Sequence, residues 1–189
     1  MFPQGDGRIR GYVCYAEAAG FRLSGYGDIP RFIEESIKGG VPQGHYAKAK
    51  PVGPLATFEG AASWVDHPYH DGIALIGAAG GAPDPTWGQG LSLTLRDVRV
   101  LRDALLSHDD WEVAGNAYAK EHDRYYKVIH DVELWETKLL METGEEADAR
   151  RTKAFAAWKE DRTKQLDVLL SGPVSDVDEG TKRRFFGEE

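Results

Sequence analysis

The apolar pattern along this chain predicts short strands and several helices. The clearest helical signal is Leu91, Leu95, Val98, Leu101 and Leu105. Spacings of four, three, three and four place them on one helix face. Ahead of that helix, Ile73-Ala74-Leu75-Ile76 is a short apolar run that predicts a buried strand. A turn rich in glycine and proline separates the two. Near the start, Ile9, Tyr12, Val13 and Tyr15 supply β-formers and predict a strand over residues 9–15. Asp6-Gly7 reads as a hairpin turn. Its first strand would lie before residue 1, so the chain is expected to begin in the middle of a sheet. Phe21-Arg22-Leu23 predicts a second strand, connected through residues 17–20. Asp28-Ile29-Pro30 opens a helix that Gly39-Gly40 ends, with Asp28 as N-cap and Ile29, Phe32, Ile33 and Ile37 as its stripe. Residues 41–60 read as loop with one short strand near 55–58. Residues 62–66 predict another strand.

Beyond the leucine-rich helix, Ser107 or Asp109 can cap a helix over residues 111–142. Val113, Ala117, Tyr125, Ile129, Val132 and Leu139 lie on one side of it. A further helix over residues 146–159 carries Ala154, Phe155 and Trp158. Gly172-Pro173 is a stop signal, and residues 175–189 read as a charged, mobile tail except at Phe185-Phe186.

The order strand, glycine loop, helix brings backbone N–H groups up to a ligand. The first N–H groups of a helix have no acceptor within it, and the helix dipole makes that end electropositive. An anionic or electron-rich group is therefore stabilised there. The two prolines of Pro83-Asp84-Pro85-Thr86-Trp87 fix the path, and the glycines that follow let a flat ligand lie against backbone.

This stretch resembles the second FAD-contacting fingerprint of the single-component flavoprotein monooxygenases, the aromatic-hydroxylase group. That fingerprint reads roughly G-D-A-A-H-x-x-x-P-x-x-G-Q-G-x-N, followed by a helix with an Asp. Gly77-Ala78-Ala79-Gly80-Gly81 stands for its first part. Pro85 and Gly88-Gln89-Gly90-Leu91-Ser92 stand for its second, and Asp97 falls at the helix Asp. The run-in from Trp64 to Tyr69 and from Asp71 to Gly77 is also similar. The likeness is specific over residues 62–106, looser over 1–61 and weakest after 107.

The resemblance implies an α/β fold, here an α+β fragment. It would comprise part of a Rossmann-like FAD/NAD(P)-binding domain, a remnant of a substrate-binding mixed sheet and C-terminal helices. The expected division is residues 1–61 for the sheet remnant, 62–106 for the FAD-binding piece and 107–189 for the helical region with its tail. The cofactor-binding positions would be Gly77, Ala78, Pro85, Gly88, Gln89, Gly90, Leu91 and Ser92. The Pro85 backbone would line the flavin edge. The N–H groups near Gly90 and Leu91 would face the pyrimidine side, where reduced flavin is negative. The intact enzyme would use FAD, NAD(P)H and oxygen to hydroxylate a small aromatic or apolar substrate. No side chain is assigned as general acid or base.

Two residues depart from the pattern. Ala78 replaces the acid that binds the ribityl chain in the family, and Ser92 replaces the usual Asn. A lost charged hydrogen bond is worth roughly 1.5–3 kcal/mol, about one to two decades in dissociation constant. The strand–GxGxxG–helix unit that would hold the FAD pyrophosphate is also missing. Gly25-Tyr26-Gly27 and Gly88-Gln89-Gly90 both lack a third glycine at the required spacing, and there is no P-loop lysine. The chain therefore reads as the C-terminal half of a longer enzyme, with a complementing N-terminal half or a second copy of itself as partner. Two other classes stay open: a non-catalytic remnant or interaction module that keeps the fold without FAD, and a small-ligand binder using the old substrate sheet.

A net charge of −8 over 189 residues argues against a general nucleic-acid or anionic-membrane binder. No apolar run approaches the roughly 20 residues of a membrane helix. The N-terminus has no signal-peptide pattern, and a cytoplasmic location is expected. A single cysteine, Cys14, leaves no intramolecular disulfide and reads as a buried structural thiol. His67 and His70, flanked by Asp66 and Asp71, read as a solvated turn in preference to a metal site. His122-Asp123 and His130-Asp131 are two helical turns apart, roughly 12 Å, and read as a polar helix face. Ser107-His108-Asp109 has the residue types of a triad, but adjacent groups cannot converge as one requires. Tyr118, Tyr125 and Tyr126 are expected to pack against helices.

Overall fold

The structure, a computed structural model, describes residues 1–15, 19–166 and 172–189. It divides into two compact units, Met1–Glu59 and Gly60–Glu189.

In the first unit, β1 (Phe2–Gly5) pairs antiparallel with β2 (Arg8–Arg10), with Phe2 opposite Arg10 and Pro3 opposite Ile9. The connecting Asp6 and Gly7 have φ of 49° and 69°. Positive φ at both central residues matches the right-handed twist of the two strands. The Asp6-Gly7 turn is thus closed by a strand inside the chain, and the expectation that its partner precedes residue 1 is corrected. No ladder continues through residues 12–15, and Cys14 is exposed, not buried. Two residues of the expected 17–20 connection lie outside the described residues. Phe21-Arg22-Leu23 is not a strand. The pairing in this region is a single antiparallel bridge, Gly25 with Leu55.

Helix α1 (Ile29–Lys38) runs where its caps predicted, with Pro30 in the first turn and Gly39 at the end. Asp28 occupies the N-cap, but its carboxylate accepts the Ser24 N–H at 2.8 Å, not a helix N–H. Ser36 is buried because its hydroxyl donates to the Ile33 carbonyl and meets the Tyr46 hydroxyl at 2.7 Å.

The second unit is built on α3 (Trp111–Leu140), 30 residues long and so about 45 Å. Asp110, not Ser107 or Asp109, caps it by accepting the Glu112 N–H at 2.8 Å. Its N-terminal half packs on α2 (Gly90–Ser107) through Leu93, Tyr125, Tyr126 and Ile129. Its C-terminal half packs on α4 (Glu145–Glu160) and α5 (Glu179–Phe185) through Val132, Trp135, Leu139, Ala154, Phe185 and Phe186. Arg150 and Arg151 of α4 donate to the carbonyls of Lys138, Leu139 and Glu142, so two cations satisfy the last turn of α3. The C-terminal segment contains an ordered helix, contrary to the mobile tail expected. Asp178 caps α5 through the Thr181 N–H, and Phe185 and Phe186 are buried.

Four short strands lie along α3. β3 (Ser63–Trp64) pairs antiparallel with β6 (Gly81–Ala82), and β4 (Tyr69–His70) with β5 (Ile73–Ala74). The fold is therefore mixed helical with small antiparallel sheets. Among the described residues there is no parallel pair, and the Rossmann-like part of the expectation rests on the resemblance alone. The Ile73–Ile76 run is not a buried strand. Only β5 is extended in a ladder, and Ile73 is 65% exposed. A two-stranded hairpin lying on one helix covers only one of its faces, so alternate apolar residues turn outward.

The apolar stripe of α2 is also reversed. Leu91, Leu95, Val98 and Leu105 are exposed, and the residues turned inward are Leu93 and Asp97. The leucines do share one helix face. The opposite face is the buried one, because α3 covers the side that carries Asp97. No helix among the described residues is long and apolar enough to cross a membrane.

Candidate functional site

Three tyrosines of α3 hold the glycine-rich segment in place. The hydroxyl of Tyr118 donates to the Leu75 carbonyl and that of Tyr126 to the Gly81 carbonyl, both at 2.6 Å. Tyr125 donates to Asp97 Oδ1 on α2. Burial raises all three phenol pKa values, helped by the nearby Asp97 charge. They stay neutral donors throughout the ordinary pH range. Gly81 must be a glycine, since a Cβ there would sit 2.3 Å from the Tyr126 ring. This departure from the histidine of the fingerprint thus has a packing cause.

The segment Asp97 anchors begins at Gly77, whose N–H donates to Asp97 Oδ2 at 2.7 Å. Gly77 has φ +60°, a conformation that costs glycine little. It opens a 3-10 turn, Gly77–Ala79, in which Ala78 is exposed. β6 follows, then a second 3-10 turn, Pro85–Trp87, capped by Asp84, whose Oδ1 accepts the Thr86 N–H at 2.8 Å. Gly88 reverses the chain at φ +71°. Gln89 is buried, and its Nε2 donates to the Trp87 carbonyl at 3.1 Å. Helix α2 starts at Gly90 without a side-chain cap, and Gly90, Leu91 and Ser92 are exposed. The N–H groups of this first turn have no acceptor within the helix. Trp87 Nε1 is buried without a hydrogen-bond partner among the described residues.

The eight positions picked out by the fingerprint thus fall on one continuous path. Gly77 and Gln89 are buried in it, while Ala78, Pro85, Gly88, Gly90, Leu91 and Ser92 are exposed. The residues present fit one part of a flavin. An open helix N-terminus after a proline turn offers donors to an electron-rich ring edge. The ribityl-binding carboxylate has no counterpart at Ala78.

The metal readings resolve into local contacts. His67 Nε2 meets Asn116 Oδ1 at 2.8 Å, and the His67 N–H donates to the Asp123 carboxylate. His70 lies 3.2 Å from Asp71 at the surface. No group of three potential ligands converges among the described residues.

Two polar residues of α3 are buried although neither is expected to be from sequence. His122 is fully buried, not part of a polar face, and stacks on Tyr126 with centroids 4.3 Å apart. Neither ring nitrogen is within hydrogen-bond distance of a partner among the described residues, Nδ1 lies 3.6 Å from Asp123 Oδ1, and burial lowers the pKa against the pull of Asp97 and Asp123. Glu133 is 3% exposed. Its Oε2 accepts the Asp84 N–H at 3.3 Å, and its Oε1 has no hydrogen-bond partner among the described residues. The signal for His122 was available: Tyr118, His122, Tyr125, Ile129 and Val132 repeat at four, three, four and three, so the histidine lies in the buried stripe.

The segment is thus a short strand, a 3-10 turn and a helix whose first turn is exposed and has no side-chain cap. Comparison with known proteins gives this a more specific setting. The chain is 35% identical over 82 residues to kynurenine 3-monooxygenase of Mycosarcoma maydis, a match covering 36% of this chain and 14% of that protein. The chain thus spans a small part of the relative's length, and the likeness extends to the monooxygenase family in general terms only. No family model and no solved structure matches.

Proposed function

We propose that this chain is the flavin-contacting C-terminal part of an FAD-dependent monooxygenase that hydroxylates a small aromatic or apolar molecule. The observation that carries this reading is the uncapped first turn of α2 at Gly90–Ser92, reached through Pro85 and left-handed Gly88. The partial identity to a kynurenine 3-monooxygenase supports it. In that role the N–H groups of Gly90 and Leu91 stabilise negative charge on the pyrimidine side, and the α2 dipole adds to them. Pro85 holds the ring edge. Asp97 fixes the Gly77 turn beneath. When bound, FAD supplies the redox chemistry that couples NAD(P)H oxidation to oxygen insertion.

The nucleotide-binding part, in the same polypeptide or a separate one, is the proposed partner. The exposed apolar face of α2 supports this, with Leu91 74%, Leu95 63% and Leu106 79% exposed. Patches of this kind mark interaction sites. Light scattering of the chain alone is expected to show self-association through the uncovered face. The exchange Leu95→Glu should convert it to monomer. A monomer at high concentration before any substitution contradicts this part of the reading.

Flavin binding is tested by the quenching of FAD fluorescence on titration with the protein. Ala78→Asp restores the acid on an exposed turn and should tighten FAD binding about 10- to 100-fold. An unchanged affinity counts against the site. A second reading, a non-catalytic interaction module, is favoured by Ala78 itself. Protein that neither quenches FAD nor gains affinity from Ala78→Asp, yet captures a specific partner, supports that alternative.

A further inference from the structure

Glu133 is buried on α3, directly behind the connector that carries Pro85. One carboxyl oxygen is occupied by the backbone N–H of Asp84, and the other has no partner among the described residues. The groups around it explain why this is unusual. From the connector it faces the Asp84 amide and carboxylate. From β3 it faces Ser63 and Trp64, which carry no charge, and along its own helix Tyr126 and His130. Burial lowers the pKa of His130, whose ring lies edge-on to Trp64 at 4.4 Å, and so disfavours its cationic form. These residues, with Ala62, Ala82, Pro83 and Ile129, line a narrow cleft, partly open to solvent, with room for about one water molecule.

A carboxylate in this position would be a buried anion with no cation beside it. Desolvation is the dominant effect and pushes the Glu133 carboxyl up to about 7, the Asp84 N–H pulls it down, and the Asp84 charge pushes it up again. The neutral form is compatible with the closed arrangement, because its carbonyl oxygen accepts the Asp84 N–H and its hydroxyl occupies the cleft side. Ionisation sends the proton to solvent through the cleft. The anion then needs more water than that narrow cleft holds, and displacement of the Pro83–Pro85 connector from α3 supplies it. Asp84 also caps the Pro85–Trp87 turn, so displacement of its backbone is transmitted to Pro85 and Gly88.

We propose that Glu133 is a positioning residue for the Pro83-Asp84-Pro85 connector, latching it to α3 when protonated and releasing it when ionised. This makes the proposed flavin edge sensitive to pH in the neutral range, and that consequence rests on the functional reading above.

The test is NMR of the full chain, following the Glu133 side-chain carboxyl carbon and the Asp84 and Thr86 backbone amides from pH 5 to 9. The expected result is a shared midpoint near neutral pH. Glu133→Gln keeps the acceptor for the Asp84 N–H and should abolish the neutral-range step in both amides. Asp84→Asn keeps a cap for Thr86 and should move the Glu133 midpoint down. A Glu133 carbon that titrates in the ordinary carboxylate range overturns the proposal. So does an Asp84 amide step that persists in Glu133→Gln. Titration with lumiflavin, which has no ribityl chain or nucleotide, separates the two readings. A Glu133-dependent amide step without lumiflavin binding leaves the latch standing and removes its link to flavin. Lumiflavin binding with no amide step removes the latch alone.

Discussion

Asp97→Ala is expected to destabilise the chain by about 2–5 kcal/mol, as measured by urea unfolding of the full protein. Asp97 is fully buried and joins two elements, accepting the Gly77 N–H with one oxygen and the Tyr125 hydroxyl with the other. Alanine strands both donors in the interior, where each unsatisfied group costs about 1–3 kcal/mol. The Tyr125 hydroxyl cannot turn to water, because its ring is fully buried beneath α2. Asp97→Asn keeps an acceptor for one of the two and should cost less. Hydrogen exchange at Gly77 should accelerate in the alanine variant more than exchange in α4, since the Asp97 contact is what holds that turn. A loss below 1 kcal/mol, with Gly77 exchange unchanged, contradicts the anchoring role.

Phe185→Ala is expected to cost about 3–5 kcal/mol, the usual range for emptying a buried aromatic site. For a chain of this size that corresponds to a fall in Tm of roughly 10 °C. Phe185 is fully buried, with ring centroids 5.0 Å from Trp158, 5.1 Å from Phe186 and 6.0 Å from Trp135. Its carbonyl accepts the Trp158 Nε1 hydrogen at 2.8 Å, which fixes α5 against α4. The melting curve decides between this packing and a mobile tail, which would leave Tm unchanged on the same substitution.

Both experiments probe residues whose roles were legible from sequence only in part. Asp97 was placed by its position in the fingerprint, but nothing in the periodicity of α2 marked it as buried. The leucine stripe pointed the other way. A helix alone reports which residues share a face. Which face meets another element depends on where that element lies. Here α3 arrives on the Asp97 side because Tyr125, Tyr126 and Ile129 close over Leu93. The Phe185-Phe186 pair stands out as apolar within a charged segment, yet its burial needs α4 and α5 together.

The sequence by itself determined the local features of this protein. Pro30 and Gly39 delimit α1, and Gly144 precedes α4. Asp6-Gly7 and Asp71-Gly72 make tight turns at positive φ. The glycine–proline path from Gly77 to Gly90 follows from backbone preferences acting over a few residues. Tertiary structure alone decided which side of α2 is covered, that His122 and Glu133 are buried, and that the C-terminal segment contributes to the core. Each depends on desolvation by residues distant in sequence, and that quantity is set only when the elements have packed.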